Sequence, residues 1–128
     1  MINKDKLKNF EKLPADIRRQ FSLLANQYGE KKKTAGIQNN FMDFVKHVWP
    51  EFIEGRHHKE IADKFDRLAQ GKIKRLIINM PPRHTKSEFG SYLLPAWMVG
   101  RNPKLKIIQS TNTTELSVRF GRKAKQLM

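Results

Sequence analysis

The chain reads as α/β, a small parallel sheet preceded by an N-terminal helical segment, and three observations predict this. Two short Ile-rich runs, Arg75 to Met80 and Leu105 to Gln109, have the composition of strands, and the first looks like a strand buried on both faces of a parallel sheet. Each run is followed by apolar residues at helical spacing. Between the first run and its helix lies Pro81 to Ser87, a loop ending in Lys86 and Ser87.

The elements follow in order. Pro14 at a helix start, then Ile17, Phe21, Leu24 and Tyr28 at spacings of four, three and four, predict an amphipathic helix over about residues 14–28. Gly29 is expected to end it, and the charged run Glu30 to Gly36 reads as a flexible linker. A second helix over about 38–48 presents Phe41, Phe44, Val45 and Val48 on one side and closes at Trp49 and Pro50. A third runs from near Arg56, His57 and His58 to Gln70, with Ile61, Phe65 and Leu68 on one face and Gly71 as its cap. The strand at 75–80 comes next, then the loop, then a helix from Lys86 carrying Phe89, Leu93, Leu94 and Trp97 that Pro95 should kink or end. Residues Gly100 to Pro103 read as a turn. After the second strand, Thr111 or Asn112 is placed to cap a last helix with Leu116, Phe120, Ala124 and Leu127 on its buried side.

A strand, a loop and a helix in that order form the setting of a phosphate-binding loop, so the expected architecture is an incomplete P-loop NTPase-type parallel sheet. Lys86 and Ser87 match the end of the pattern GxxxxGK[ST], whose Lys reaches the β and γ phosphates and whose hydroxyl holds Mg²⁺. Both glycines are missing. Met80 stands at the first and Thr85 at the second, where glycine serves because positive φ costs it nothing and its backbone approaches phosphate closely. Pro81 and Pro82 offer a stiff alternative, while Thr85 hinders close approach unless its φ is negative. The bland reading is an ordinary loop with a surface lysine.

Composition narrows the partners. The net charge is +14, distributed as +5 over residues 1–40, +2 over 41–80 and +7 over 81–128, which points to a polyanion, most simply nucleic acid. A basic surface kept for solubility is the alternative. There is no cysteine, hence no disulfide framework and no thiolate metal site, and no apolar run approaches the roughly 18 residues of a membrane span. The first residues lack the apolar core of a signal peptide, so a cytosolic location is expected. Adjacent His57 and His58 lack the spacing of helical metal ligands, and no cysteine or nearby carboxylate completes a set.

The stretch Phe41-Met-Asp-Phe-Val-Lys-His-Val-Trp-Pro50, then Gly55-Arg-His-His58 with Ile61, then residues 71–87 ending Pro-Pro-Arg-His-Thr-Lys-Ser87, resembles the large terminase subunit of tailed bacteriophages. In that family the loop commonly reads Pro-Pro-Arg-His-Gly-Lys-Ser, so this chain departs from it at Thr85. Leu94 to Trp97, Gly100 to Pro103 and the run from Leu116 to Phe120 continue the likeness, which spans about residues 38–128. Residues 1–37 are similar to the family's variable N-terminal helical segment.

The resemblance implies ATP hydrolysis coupled to pumping double-stranded DNA into a capsid, with a second, nuclease domain that cuts the DNA. By resemblance, Lys86 would bind the β and γ phosphates, Ser87 would coordinate Mg²⁺, loop amides around His84 to Lys86 would cradle phosphate, and Pro82, Arg83, His84, Thr85, Lys86 and Ser87 together would make up the nucleotide-binding loop. Arg83 matches the loop arginine that stabilises charge on the transferring phosphoryl group, and His57 lies where terminases place an adenine-recognition motif. The implied partners are double-stranded DNA, a portal protein, a small terminase subunit and further copies in a homo-oligomeric ring. The implied location is the host cytoplasm, transiently at the procapsid portal, with no membrane role.

No apolar run here ends in Asp-Glu, and no spaced carboxylates could hold two metal ions. The expectation is therefore the N-terminal portion of a terminase ATPase domain, without hydrolysis by this chain alone. A basic DNA-binding protein derived from such a motor and no longer using ATP is the alternative. Thr85 and the missing acidic strand favour that alternative; Arg83, Lys86 and Ser87 favour the motor.

Overall fold

The computed structural model describes residues 14–128, and the regular secondary structure within them is all helix, joined by loops and extended segments. Five helices occur in order: α1 (Ala15–Asn39), α2 (Phe41–Val48), α3 (Arg56–Ala69), α4 and α5 (Thr114–Gln126). α4 is one continuous helix in three stretches, Lys86–Glu88, a wider π turn at Phe89–Leu93, and Leu94–Arg101. The chain divides between Ala35 and Gly36 into two compact units.

The predicted parallel sheet is absent among the described residues. Residues 75–80 and 105–109 carry no strand structure, and no backbone hydrogen bond joins them. A strand exists only through the ladder it makes with a neighbour, and neither segment has one. Each lies instead along a helix: Leu76 to Met80 border a groove with His57, Glu60, Ile61 and Lys64 of α3, and Leu105 to Ser110 border one with Gly90, Leu94 and Met98 of α4. Burial is one-sided. Leu76, Ile78 and Met80 pack against the core while Ile77 is 86% exposed, so the first run is not buried on both faces as expected.

The first helix also departs from expectation. It runs through Gly29 and the proposed linker 30–36 without a break, because nothing in that run forbids helix: Lys31, Lys32, Lys33 and Ala35 are good helix formers, and Gly29 and Gly36 cost only about 1 kcal/mol each. Ile17, Leu24 and Tyr28 on its apolar stripe are exposed, and no residue of α1 is buried.

The core lies in α2, α3 and α4. Phe41, at the start of α2, sits edge-on against Phe65 of α3 and against Phe89 and Trp97 of α4, with ring centroids 5.0–5.4 Å apart. Such edge-to-face pairs add to the burial of four large side chains. Polar ties fix the same junctions. Asn40 caps α2 through the Asp43 amide, the Phe41 amide donates to Asp66 of α3 at 2.8 Å, and the Trp97 indole donates to the Ile37 carbonyl at 2.9 Å. α3 ends as expected at Gly71, whose φ of +72° lets the Gly71 and Lys72 amides turn back onto the Leu68 and Arg67 carbonyls.

Pro95 neither ends nor breaks α4. The π turn ahead of it is closed by the Leu94 amide on the Phe89 carbonyl, and the Ser91 carbonyl, which Pro95 has no N–H to serve, accepts from the Gln109 side chain at 2.9 Å. Residues 105–109 are thereby tied to α4 by a side chain rather than by a strand ladder. α5 is capped by Thr113, not by Thr111 or Asn112; it buries Phe120 and Ala124 and lays Lys123 over the Tyr92 ring of α4.

Candidate functional site

The loop from Pro81 to Ser87 leads directly into α4. Its direction is reversed by two residues with left-handed backbone, Arg83 at φ 65° and Thr85 at φ 57°. Neither is glycine, and a side chain costs about 1–2 kcal/mol there. Thr85 thus keeps the backbone conformation that glycine adopts freely, with a Cβ added. The favourable case, a negative φ at Thr85, does not occur.

What holds Thr85 there comes from α3. His58 is 7% exposed, and its Nδ1 accepts from the Gly55 amide at 2.9 Å, which leaves the proton on Nε2. That Nε2–H donates to the Thr85 hydroxyl at 2.6 Å, and the hydroxyl in turn donates to the His84 carbonyl at 2.7 Å. One tautomer satisfies the whole chain of bonds. His58 occupies the third position of α3 and takes the part that Glu or Gln plays in a capping box, bonding back to the residue before the helix. A Cβ at Gly55 would come within 2.9 Å of the His57 ring, which would have to shift.

The imidazoles gather around this bond. The His57 ring lies 3.8 Å from that of His58, tilted by 47°, and 5.6 Å from that of His84, while Phe52 and Phe89 also lie against His58. Burial holds His58 below the usual histidine pKa, and its neighbours His57 and His84 act in the same direction against the opposing Glu54. His84 folds back on the loop, its Nδ1–H donating to the Pro82 carbonyl at 2.9 Å.

Pro82, Arg83, His84, Thr85, Lys86 and Ser87 form one continuous turn, and His57 is brought beside it from α3. The side chains of Arg83, Lys86 and Ser87 are exposed. The ion pairs of the described residues are Lys46–Glu54, Arg56–Glu60 and Lys64–Asp63, so the two cations of the loop belong to none of them. The amides of Lys86, Ser87 and Glu88 open the helix, and the Phe89 amide is the first to bond back, to the Thr85 carbonyl. Two unpaired cations, a hydroxyl and opening amides are the donor set that a polyphosphate requires.

Mg²⁺ fits less completely. Ser87 offers one oxygen, and among the described residues no group of three or more His, Asp or Glu side chains could hold a metal. The ion's other ligands would come from nucleotide oxygens and water.

Sequence reasoning missed His58. The usable signal was positional: a residue able to accept a hydrogen bond three places after Gly55, at a helix start, is a capping arrangement even when it is not Glu or Gln. Nothing in the order of residues tied it to Thr85. No family model, curated protein or solved structure matches the chain.

Proposed function

We propose that residues 81–87 are a nucleotide loop and that the chain belongs to the ATP-driven motor of a viral terminase large subunit, which moves double-stranded DNA into a capsid. The observation that carries the reading is the loop itself: a turn with glycine-type backbone at Thr85, entering a helix, with Arg83, Lys86 and Ser87 exposed together. The strand expected ahead of the loop is absent among the described residues, so the reading rests on the loop and the helix it enters. In it, Lys86 neutralises the β and γ phosphates, the amides after Thr85 hold phosphate oxygens, and Arg83 faces the charge that builds on the γ-phosphoryl group. Mg²⁺ when bound supplies further neutralisation, with Ser87 as its protein ligand. His57 borders the base. Portal protein, small subunit and a ring of copies are the partners this function requires, in the host cytoplasm.

A second reading has its own support. α5 carries Arg119, Arg122 and Lys125 on its exposed side, and the net charge is +14, which suits a DNA-binding protein that no longer uses ATP. Calorimetric titration with Mg-ATP and a DNA-binding assay on the full chain, with and without Lys86→Ala, separate the two. The motor reading expects Lys86→Ala to abolish nucleotide binding and leave DNA binding unchanged. A wild-type chain that binds DNA and no ATP decides for the second reading.

A further inference from the structure

We infer that His58 is a positioning residue of the loop: by donating to the Thr85 hydroxyl it pins a non-glycine residue in the left-handed conformation that the turn into α4 requires. This rests on the nucleotide reading only for its use, because the pinning is a property of the chain's own residues. The left-handed backbone at Thr85 would relax if the side chain were free, since a residue with a Cβ prefers negative φ. The hydroxyl is not free. It sits between the His58 Nε2–H at 2.6 Å and the His84 carbonyl at 2.7 Å, so its position fixes the Cβ, and the Cβ fixes the backbone.

His58 is itself immobilised from three sides. The Gly55 amide holds its Nδ1, Phe52 and Phe89 lie against the ring at centroid distances of 4.7 and 5.2 Å, and the His57 ring abuts it, tilted, at 3.8 Å. A ring so held is a fixed post rather than a mobile partner. The arrangement assigns α3 and the loop to one mechanical unit. It also accounts for a threonine at a position that glycine would fill without help.

Two substitutions dissect the ring. His58→Gln keeps a donor near the place of Nε2 and gives up the bond from Gly55, whereas His58→Asn keeps an acceptor near the place of Nδ1 and cannot reach Thr85. Mg-ATP affinity and the thermal midpoint of the full chain are measured for both, in the natural loop and with Thr85→Gly. With Thr85 present, His58→Gln should stay within about threefold of the natural chain's affinity and His58→Asn should lose about tenfold, the weight of one buried hydrogen bond. With Thr85→Gly the two should become equal. A purely structural cap predicts the opposite order, Asn tolerated and Gln not, in both backgrounds; that result, or equal affinities with Thr85 present, overturns the proposal. Should the natural chain bind no ATP, the nucleotide reading falls. The thermal midpoint then decides the pinning alone: a Thr85-dependent advantage of Gln over Asn upholds it, and its absence removes it.

Discussion

Helix α2 and the run Arg75 to Met80 are both short and apolar, yet one becomes the centre of the core and the other a half-covered segment along α3. In α2, Phe41, Met42, Phe44 and Val45 are all buried, whereas in the run Leu76, Ile78 and Met80 pack inward and Ile77 points out at 86% exposure. The difference lies in where the backbone bonds go. A helix bonds its interior amides and carbonyls within itself and here has its opening amides capped by Asn40 and Asp66, whereas an extended segment needs a second strand or water for every one of its groups. Apolar composition was common to both, so composition could not separate them.

The widest contrast between the two regions should come from Phe41. It is fully buried and touches Phe44, Phe65, Phe89 and Trp97, so Phe41→Ala removes a ring shared by α2, α3 and α4. The expected loss is about 3–5 kcal/mol, read from urea unfolding of the full chain. A loss below about 1 kcal/mol would mean that the packing of α2 on α3 and α4 is not what stabilises this unit.

Polar ties at the same junction should matter less. Asp66 accepts from the Phe41 amide at 2.8 Å and from the Asn40 side chain at 3.4 Å, while burial pushes its carboxyl above the usual range against the pull of that amide. Asp66→Ala leaves the Phe41 amide without this acceptor and should cost about 1–3 kcal/mol. Asp66→Asn keeps an acceptor and drops the burial of charge, so it should cost distinctly less. Equal losses would show that the carboxylate's charge, not its hydrogen bond, is what joins α2 to α3.

The helical half of the molecule was legible from spacing, and the rest was not, for identifiable reasons. Phe41, Ile61, Phe65, Phe89, Trp97, Phe120 and Ala124 were all assigned to buried faces and are buried. Gly71 was read as a cap and is one, because a positive φ at a helix end has a residue-level signature. Continuation of α1 through Gly29 was missed, since one glycine was given more weight than the helix formers after it. The two supposed strands failed because β-branched composition says nothing about whether a partner strand is present. Within the candidate site, the loop from Pro82 to Ser87 was found by type and order. The bond from His58 to Thr85 spans 27 positions and has no local trace.

Acid should act on the hydrogen bond from the Gly55 amide to His58 before it acts on the aromatic core. The folded-state pKa of His58 lies below the ordinary value of 6.5, chiefly through burial and then through His57 and His84, so the folded chain binds fewer protons than the unfolded one in the interval between the two values. Stability from this group is therefore complete above about pH 6.5 and is lost as the pH falls through the interval below it. Physically, protonated His58 carries a proton on Nδ1 and can no longer accept from Gly55. Thermal midpoints of the natural chain should fall between pH 7 and 5 more steeply than those of His58→Gln. Parallel profiles would place the acid sensitivity outside the His58 ring.

The smallest effect sharpens the comparison most. Ile77 and Ile108 are 86% and 98% exposed, so replacing either by serine removes almost no buried surface, and the expected change in stability is within about 0.5 kcal/mol. Against the Phe41→Ala loss, that difference measures how unequally two apolar stretches contribute. Exposed isoleucines on extended segments also favour association between chains, because the unpaired backbone beside them can template pairing. Ile77→Ser with Ile108→Ser should therefore raise the concentration at which the chain stays monomeric, by light scattering, while leaving the urea midpoint in place. A large fall in that midpoint would mean the two residues are covered in solution, and the segments would then have to be packed on both faces after all.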